Sequence, residues 1–163
     1  MVVHSTQDLF SRRLGDIHSS ACFMAQQIPS LVSAADSENL RKLLNLYLDV
    51  VRDNVDRTEL VLNEGTRSSD SRDPTAVPAM VDDLFDLLDR IEEPSLVDVA
   101  ILLSSTEIGS FEAHRLRLLA DVAGLMGRDN TQDALNESSE RLSAVCGQLG
   151  EMIHEEGAGQ RLN

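Results

Sequence analysis

The sequence predicts an all-α protein: a four-helix bundle with one long crossover. Three observations lead there. Apolar residues recur near every 3.6 positions in four long segments, few breakers interrupt those segments, and roughly 30 residues separate the second from the third. A connection of that length can travel the height of a bundle, so the second and third long helices are expected to run parallel. The pattern places the long helices at about 6–35, 38–64, 95–126 and 132–155, with the crossover at 65–94, in a single domain of 163 residues.

In the first helix, Phe10, Leu14, Ile17, Ala21, Met24, Ile28 and Leu31 form one stripe. Pro29 falls near its end and is expected to kink it, because proline lacks the N–H and crowds the preceding turn. AADSENL then breaks and restarts the chain, with Asp36 or Ser37 able to cap the second helix. That helix carries Leu40, Leu44, Tyr47, Val51, Asn54, Thr58 and Val61 on one face and reaches Asn63, with Gly65 as a stop. TRSSDSRDP reads as an exposed loop, and AVPAMVDDLFDLLDRI as a short amphipathic helix over Val77–Ile91.

Pro94 suits the first turn of the third long helix. Its inward stripe is Ile101, Ser105, Ile108, Glu112, Leu116, Leu119, Ala123 and Met126, and Gly127 with the polar GRDNTQD stretch ends it. The fourth helix carries Leu135, Leu142, Val145, Leu149 and Met152 or Ile153, and the tail GAGQRLN is expected to fray.

Charge and composition exclude several function classes. Fourteen Lys and Arg stand against 28 Asp and Glu, a net charge of −14 that repels nucleic-acid phosphates and anionic membranes. With no Trp and one Tyr there is little to stack on bases. The N-terminus has neither a basic leader nor a long apolar run, and no segment has the ~20 apolar residues of a spanning helix, so a cytoplasmic protein is expected. Cys22 and Cys146 lie far apart in apolar-periodic segments and read as buried thiols. No GxSxG, P-loop, GxGxxG or HExxH pattern is present, and Ser104 and Ser105, near Glu107, read as ordinary helical polar residues, so no catalytic residue is assigned and an enzyme is not expected.

EIGSFEAH, Glu107–His114, is the one chemically suggestive stretch. Its acids and histidine do not share a face: Glu112 lies on the apolar stripe, whereas His114, two residues on, points elsewhere. A buried carboxylate must find a partner or take up a proton. Tyr47 and Asn54, two turns apart on the inward face of the second helix, are the expected partners of Glu112 in a small polar network.

From about Asp8 to Ile153 the chain resembles the YciE/YciF-type stress-response proteins of the ferritin-like superfamily. The likeness rests on the order of DLFSRRLGDIHSSACFMAQQIPSLVSAADSENLRKLL, the AM of VPAMVDDL, PSLVDVAILLSS and FEAHRLRLLADVAGLMG. It implies a ferritin-like bundle, often dimeric, with a carboxylate-rich metal centre. This chain departs from the ligand pattern at most positions. Ala21 stands where the family's first helix has a glutamate, and VVRDN, Val50–Asn54, replaces its ETxxH or ETxxQ. GSFE replaces an EHYE-like motif, with Gly109 for the first acid and Glu112 for the second, and the paired acids of the last helix fall near Arg141 and Leu142, with Glu140 close by.

A di-iron or di-manganese centre needs roughly four carboxylates and two imidazoles, so no metal or other cofactor is expected and Glu112 is read as a remnant. His18, Tyr47, Asp49 and Asn54 are its candidate neighbours, and an improvised site of His18, Asp49, Glu112 and His114 is the alternative, binding iron or manganese. The expected function is that of a non-catalytic bundle linked to stress physiology by resemblance. It would act as a homodimer or through another protein partner.

Overall fold

The computed structural model describes residues 3–64 and 75–159, with side chains described as far as His154. Five helices and no strands are found among the described residues: α1 (Thr6–Ala34), α2 (Glu38–Glu64), α3 (Ala76–Leu88), α4 (Pro94–Leu125) and α5 (Asp129–Gly159). The loop read at TRSSDSRDP and the stop at Gly65 lie outside the described residues.

Helix ends follow local chemistry. Ser5 caps α1 by accepting the Asp8 N–H at 3.1 Å, and α1 continues through Pro29 to Ala34. Of the two candidate caps for α2, the hydroxyl of Ser37 receives the Leu40 N–H. The same turn is also held from a distance: Asp98, buried in the first turns of α4, accepts the N–H groups of Asp36 and Ser37 at 2.7 Å each. Arg41 completes it by donating to the carbonyls of Ala35 and Asp36.

Pro94 occupies the start of α4, and Gly127, at φ 70°, reverses the chain after it in the left-handed conformation that glycine adopts at little cost. α5 then begins at Asp129, inside the polar stretch read as a break, because Asp129, Asn130 and Thr131 form a first helical turn. It also runs on into the tail expected to fray, as far as Gly159. α3 is shorter than expected, giving way at Asp89 before Ile91.

Residue pairs define the topology. Ser20 of α1 meets Arg115 of α4, and the Phe10 ring of α1 lies under the guanidinium of Arg128, just past the end of α4, so these helices are antiparallel. Asp53 pairs with Arg141 and Arg57 with Glu137, which makes α2 and α5 antiparallel as well. Because α1 and α2 form a hairpin through residues 35–37, α2 and α4 run parallel, as the long crossover requires. Around the bundle the order is α1, α2, α5, α4, and α3 lies against α4 and α1. This is a ferritin-like four-helix arrangement.

The stripes read from the sequence meet inside it. Phe10, Leu14, Met24, Ile28, Leu31, Leu40, Leu44, Tyr47, Ile101, Ile108, Leu116, Leu135 and Leu149 are all buried in one continuous core. Each such side chain contributes about 1.5–3 kcal/mol relative to exposure.

Candidate functional site

Glu112 sits on the inward face of α4 with 6% of its surface exposed. Its partner is one turn away on the same helix: Arg115 Nη1 donates to Glu112 Oε1 at 2.6 Å. Arg115 also reaches the Ser20 hydroxyl on α1 at 3.3 Å and lies over the Phe111 ring at 5.3 Å from its centroid. Ser20 in turn donates to the carbonyl of Asp16. The polar network expected around Glu112 is therefore built from Arg115 and Ser20. The hydrogen bond to Tyr47 or Asn54 is not formed, because a guanidinium three residues along the helix is already within reach.

Two influences oppose each other on the Glu112 carboxyl. Burial penalises the charge and pushes its pKa up to about 6, while the adjacent guanidinium pulls it down. Burial prevails. Tyr47 is nonetheless close: its hydroxyl is held in protonated form chiefly by burial, and further by the neighbouring Cys146 and by the charge of Glu112.

Gly109 explains how these groups approach. A Cβ at that position would lie 2.3 Å from Cys146 Sγ and 3.2 Å from the Tyr47 hydroxyl, so only a bare backbone lets both pack against α4. The Cys146 thiol is pushed up to about 11, mainly by burial against an opposing hydrogen bond with Ser110, and is no nucleophile at neutral pH.

His18 belongs to a different cluster. Its Nδ1 lies 2.9 Å from Thr58 Oγ1, and Nε2 lies 3.6 Å from Cys22 Sγ. The Thr58 hydroxyl donates to the carbonyl of Asn54 at 2.7 Å, so it accepts from His18, and Nε2 is left to receive the thiol hydrogen. This chain runs from Cys22 to the backbone of α2 without touching Glu112. Cys22 is only partly buried, and burial, reinforced by Glu59, favours its thiol form.

Asn54 is buried, whereas Asp49 and His114 are exposed. The improvised quartet of His18, Asp49, Glu112 and His114 is thus dispersed. Among the described residues, no three His, Cys, Asp or Glu side chains come together where they could hold a metal ion. The donors around Glu112 do not fit a di-metal centre, because its nearest charged neighbour is a cation. Sequence reasoning missed Arg115, although an acid and an arginine at i, i+3 were there to be read. It also missed the Asp53–Arg141 and Arg57–Glu137 pairs, which join helices distant in sequence.

Comparison with known proteins bears on this arrangement. A family model described as Domain of unknown function (DUF892) matches residues 5–162. The fold is similar to that of the E. coli stress protein YciF, with 17% sequence identity, a TM-score of 0.90, and 97% of this chain and 100% of that chain covered. It is also similar to that of YcfI from Rhodopseudomonas palustris, described as a proposed structural protein, with 18% identity, a TM-score of 0.86, and 91% and 94% covered. At these identities the likeness is one of fold. None of the curated proteins compared with the chain matches it.

Proposed function

The chain belongs to the DUF892 family, and from that premise we propose that it is a non-catalytic, metal-free bundle of ferritin-like descent that acts through contacts with protein surfaces. The observation that carries this reading is the 2.6 Å pair between Glu112 and Arg115. Where the resemblance places a metal ligand, this chain has a carboxylate already neutralised by a guanidinium. A divalent cation would have to displace that guanidinium and leave it partly buried beside a second positive charge, which is strongly unfavourable.

The other positions matched to ligands support the same reading. Ala21, Val50 and Gly109 offer no donor, and Arg141, near the place of the last helix's paired acids, is engaged with Asp53. His18, Thr58 and Cys22 satisfy one another. A part in stress physiology rests on the fold shared with the E. coli stress protein YciF, and a cytoplasmic location on the sequence reading alone. No helix among the described residues is long and apolar enough to cross a membrane.

Thermal unfolding with iron(II) or manganese(II) tests the proposal. A site bound at a hundred times its dissociation constant adds ~2.7 kcal/mol, a rise of about 5–10 °C for a chain of this size. The expected result is no saturable rise with either ion. A saturable rise that vanishes in Glu112→Ala would overturn it.

A further inference from the structure

A groove of about 430 Å³ runs between α1 and α4, within the ~300–1,000 Å³ of small-molecule sites. Leu9, Phe10 and Ile17 of α1 wall it with Leu118 and Val122 of α4, and its polar lining among the described residues is Arg13 and Arg115. Acids outnumber bases 28 to 14 in the chain, yet no acid lines this groove among the described residues. An apolar bed edged by cations, on a molecule that is anionic as a whole, is complementary to an anion with an apolar body.

Arg115 is the fixed point of this groove. Its Nη1 is spent on Glu112 and Ser20, and its guanidinium lies 5.3 Å from the centroid of the Phe111 ring, so contacts from α1 and α4 hold it in place. An arginine carries five N–H donors in a planar fork. Neither Nε nor Nη2 of Arg115 has an acceptor among the described residues. Those two nitrogens can grip a second carboxylate while Nη1 stays on the first. Arg13, with its side chain 64% exposed and 3.8 Å from Asp16, is a loosely tied cation at the rim. From Arg115 to Val122 the axis of α4 rises about 10 Å, which is close to the reach of an extended decanoyl chain.

We propose that this groove binds a medium-chain fatty acid in its ionised form, with the carboxylate on Nε and Nη2 of Arg115 and the acyl chain lying toward Leu9, Phe10 and Val122. The two halves of such a ligand match the two kinds of lining. A ligand without charge would lay apolar surface over the arginine donors and leave them unpaired. A small inorganic anion would leave the apolar walls in water. The ligand is a free monomer and not a lipid in a bilayer, because the net charge of −14 repels an anionic membrane surface. The site goes beyond the protein-contact reading and does not depend on it, so either can fail without the other.

Titration calorimetry of the full chain with decanoate, at neutral pH and below the micelle concentration, tests this. Saturable binding of a single decanoate per chain is expected. Octanoate, with two fewer methylenes, binds about tenfold more weakly. Decanol, which keeps the tail and lacks the charge, is weaker by about tenfold or more. Glu112→Gln retains binding, because Arg115 remains. The double variant Glu112→Gln, Arg115→Gln removes both charges together, so no buried ion is left unpaired, and it loses about tenfold or more in affinity. Leu118→Glu, at a half-exposed position of the wall, keeps its helical circular dichroism and also weakens binding, which decides the matter if the double variant fails to fold. Absence of saturable binding would overturn the inference. So would decanol binding as tightly as decanoate, or an affinity indifferent to Leu118→Glu.

Discussion

The Glu112 carboxylate keeps its place in the core because Arg115 accompanies it, yet burial still prevails and its pKa rises from 4.5 to about 6. A raised acid pKa means that the folded protein holds this proton more tightly than the unfolded chain. The associated stability is full below pH 4.5 and is lost as pH climbs through about 6. The shift corresponds to about 2 kcal/mol. Urea unfolding of the native chain and of Glu112→Gln should show the native chain losing about that much stability relative to the variant between pH 4.5 and pH 7. A difference unchanged with pH would contradict the assignment. At this scale the sequence was half legible: helical phase put Glu112 inside, but phase cannot tell which of several reachable groups takes the hydrogen bond. The i, i+3 arginine was the local signal, and attention to longer-range partners passed over it.

Among the elements, the hairpin of α1 and α2 depends on a residue from a third helix. Asp98 presents a buried carboxylate to two backbone N–H groups at the start of α2, where the helix dipole also favours negative charge. Hydrogen bonds to a charged group contribute about 1.5–3 kcal/mol. Asp98→Ala should therefore cost at least about 2 kcal/mol in chemical denaturation, and Asp98→Asn less, since its amide oxygen still accepts. A neutral result for Asp98→Ala would refute the capping role. The sequence did not show this, because an aspartate near the start of its own helix reads as a partner for that helix's dipole. The inward stripes of α1, α2 and α4 were legible, since their periodicity is local and strong. The start of α5 was not: Asp129, Asn130 and Thr131 are loop-forming types that here serve as the first turn of a helix.

Across the whole molecule, the crossover length was enough to anticipate parallel α2 and α4, because short connections force antiparallel neighbours and a long one frees the chain to cross. The outer face of α4 escaped that reading. A search for one apolar stripe per helix finds the core face and treats the remaining leucines as scatter. The same helix carries the glycine that admits Tyr47 and Cys146, the buried Glu112 and an exposed apolar stripe. Core closure thus centres on α4, which packs against α1, α3 and α5. The most direct test is the metal content of the chain purified from cells supplied with iron, manganese and zinc, determined by mass spectrometry after removal of loosely held ions. The account predicts far less than one metal ion per chain, with Glu112→Ala making no difference; one or two tightly held ions per chain, lost in that variant, would contradict it.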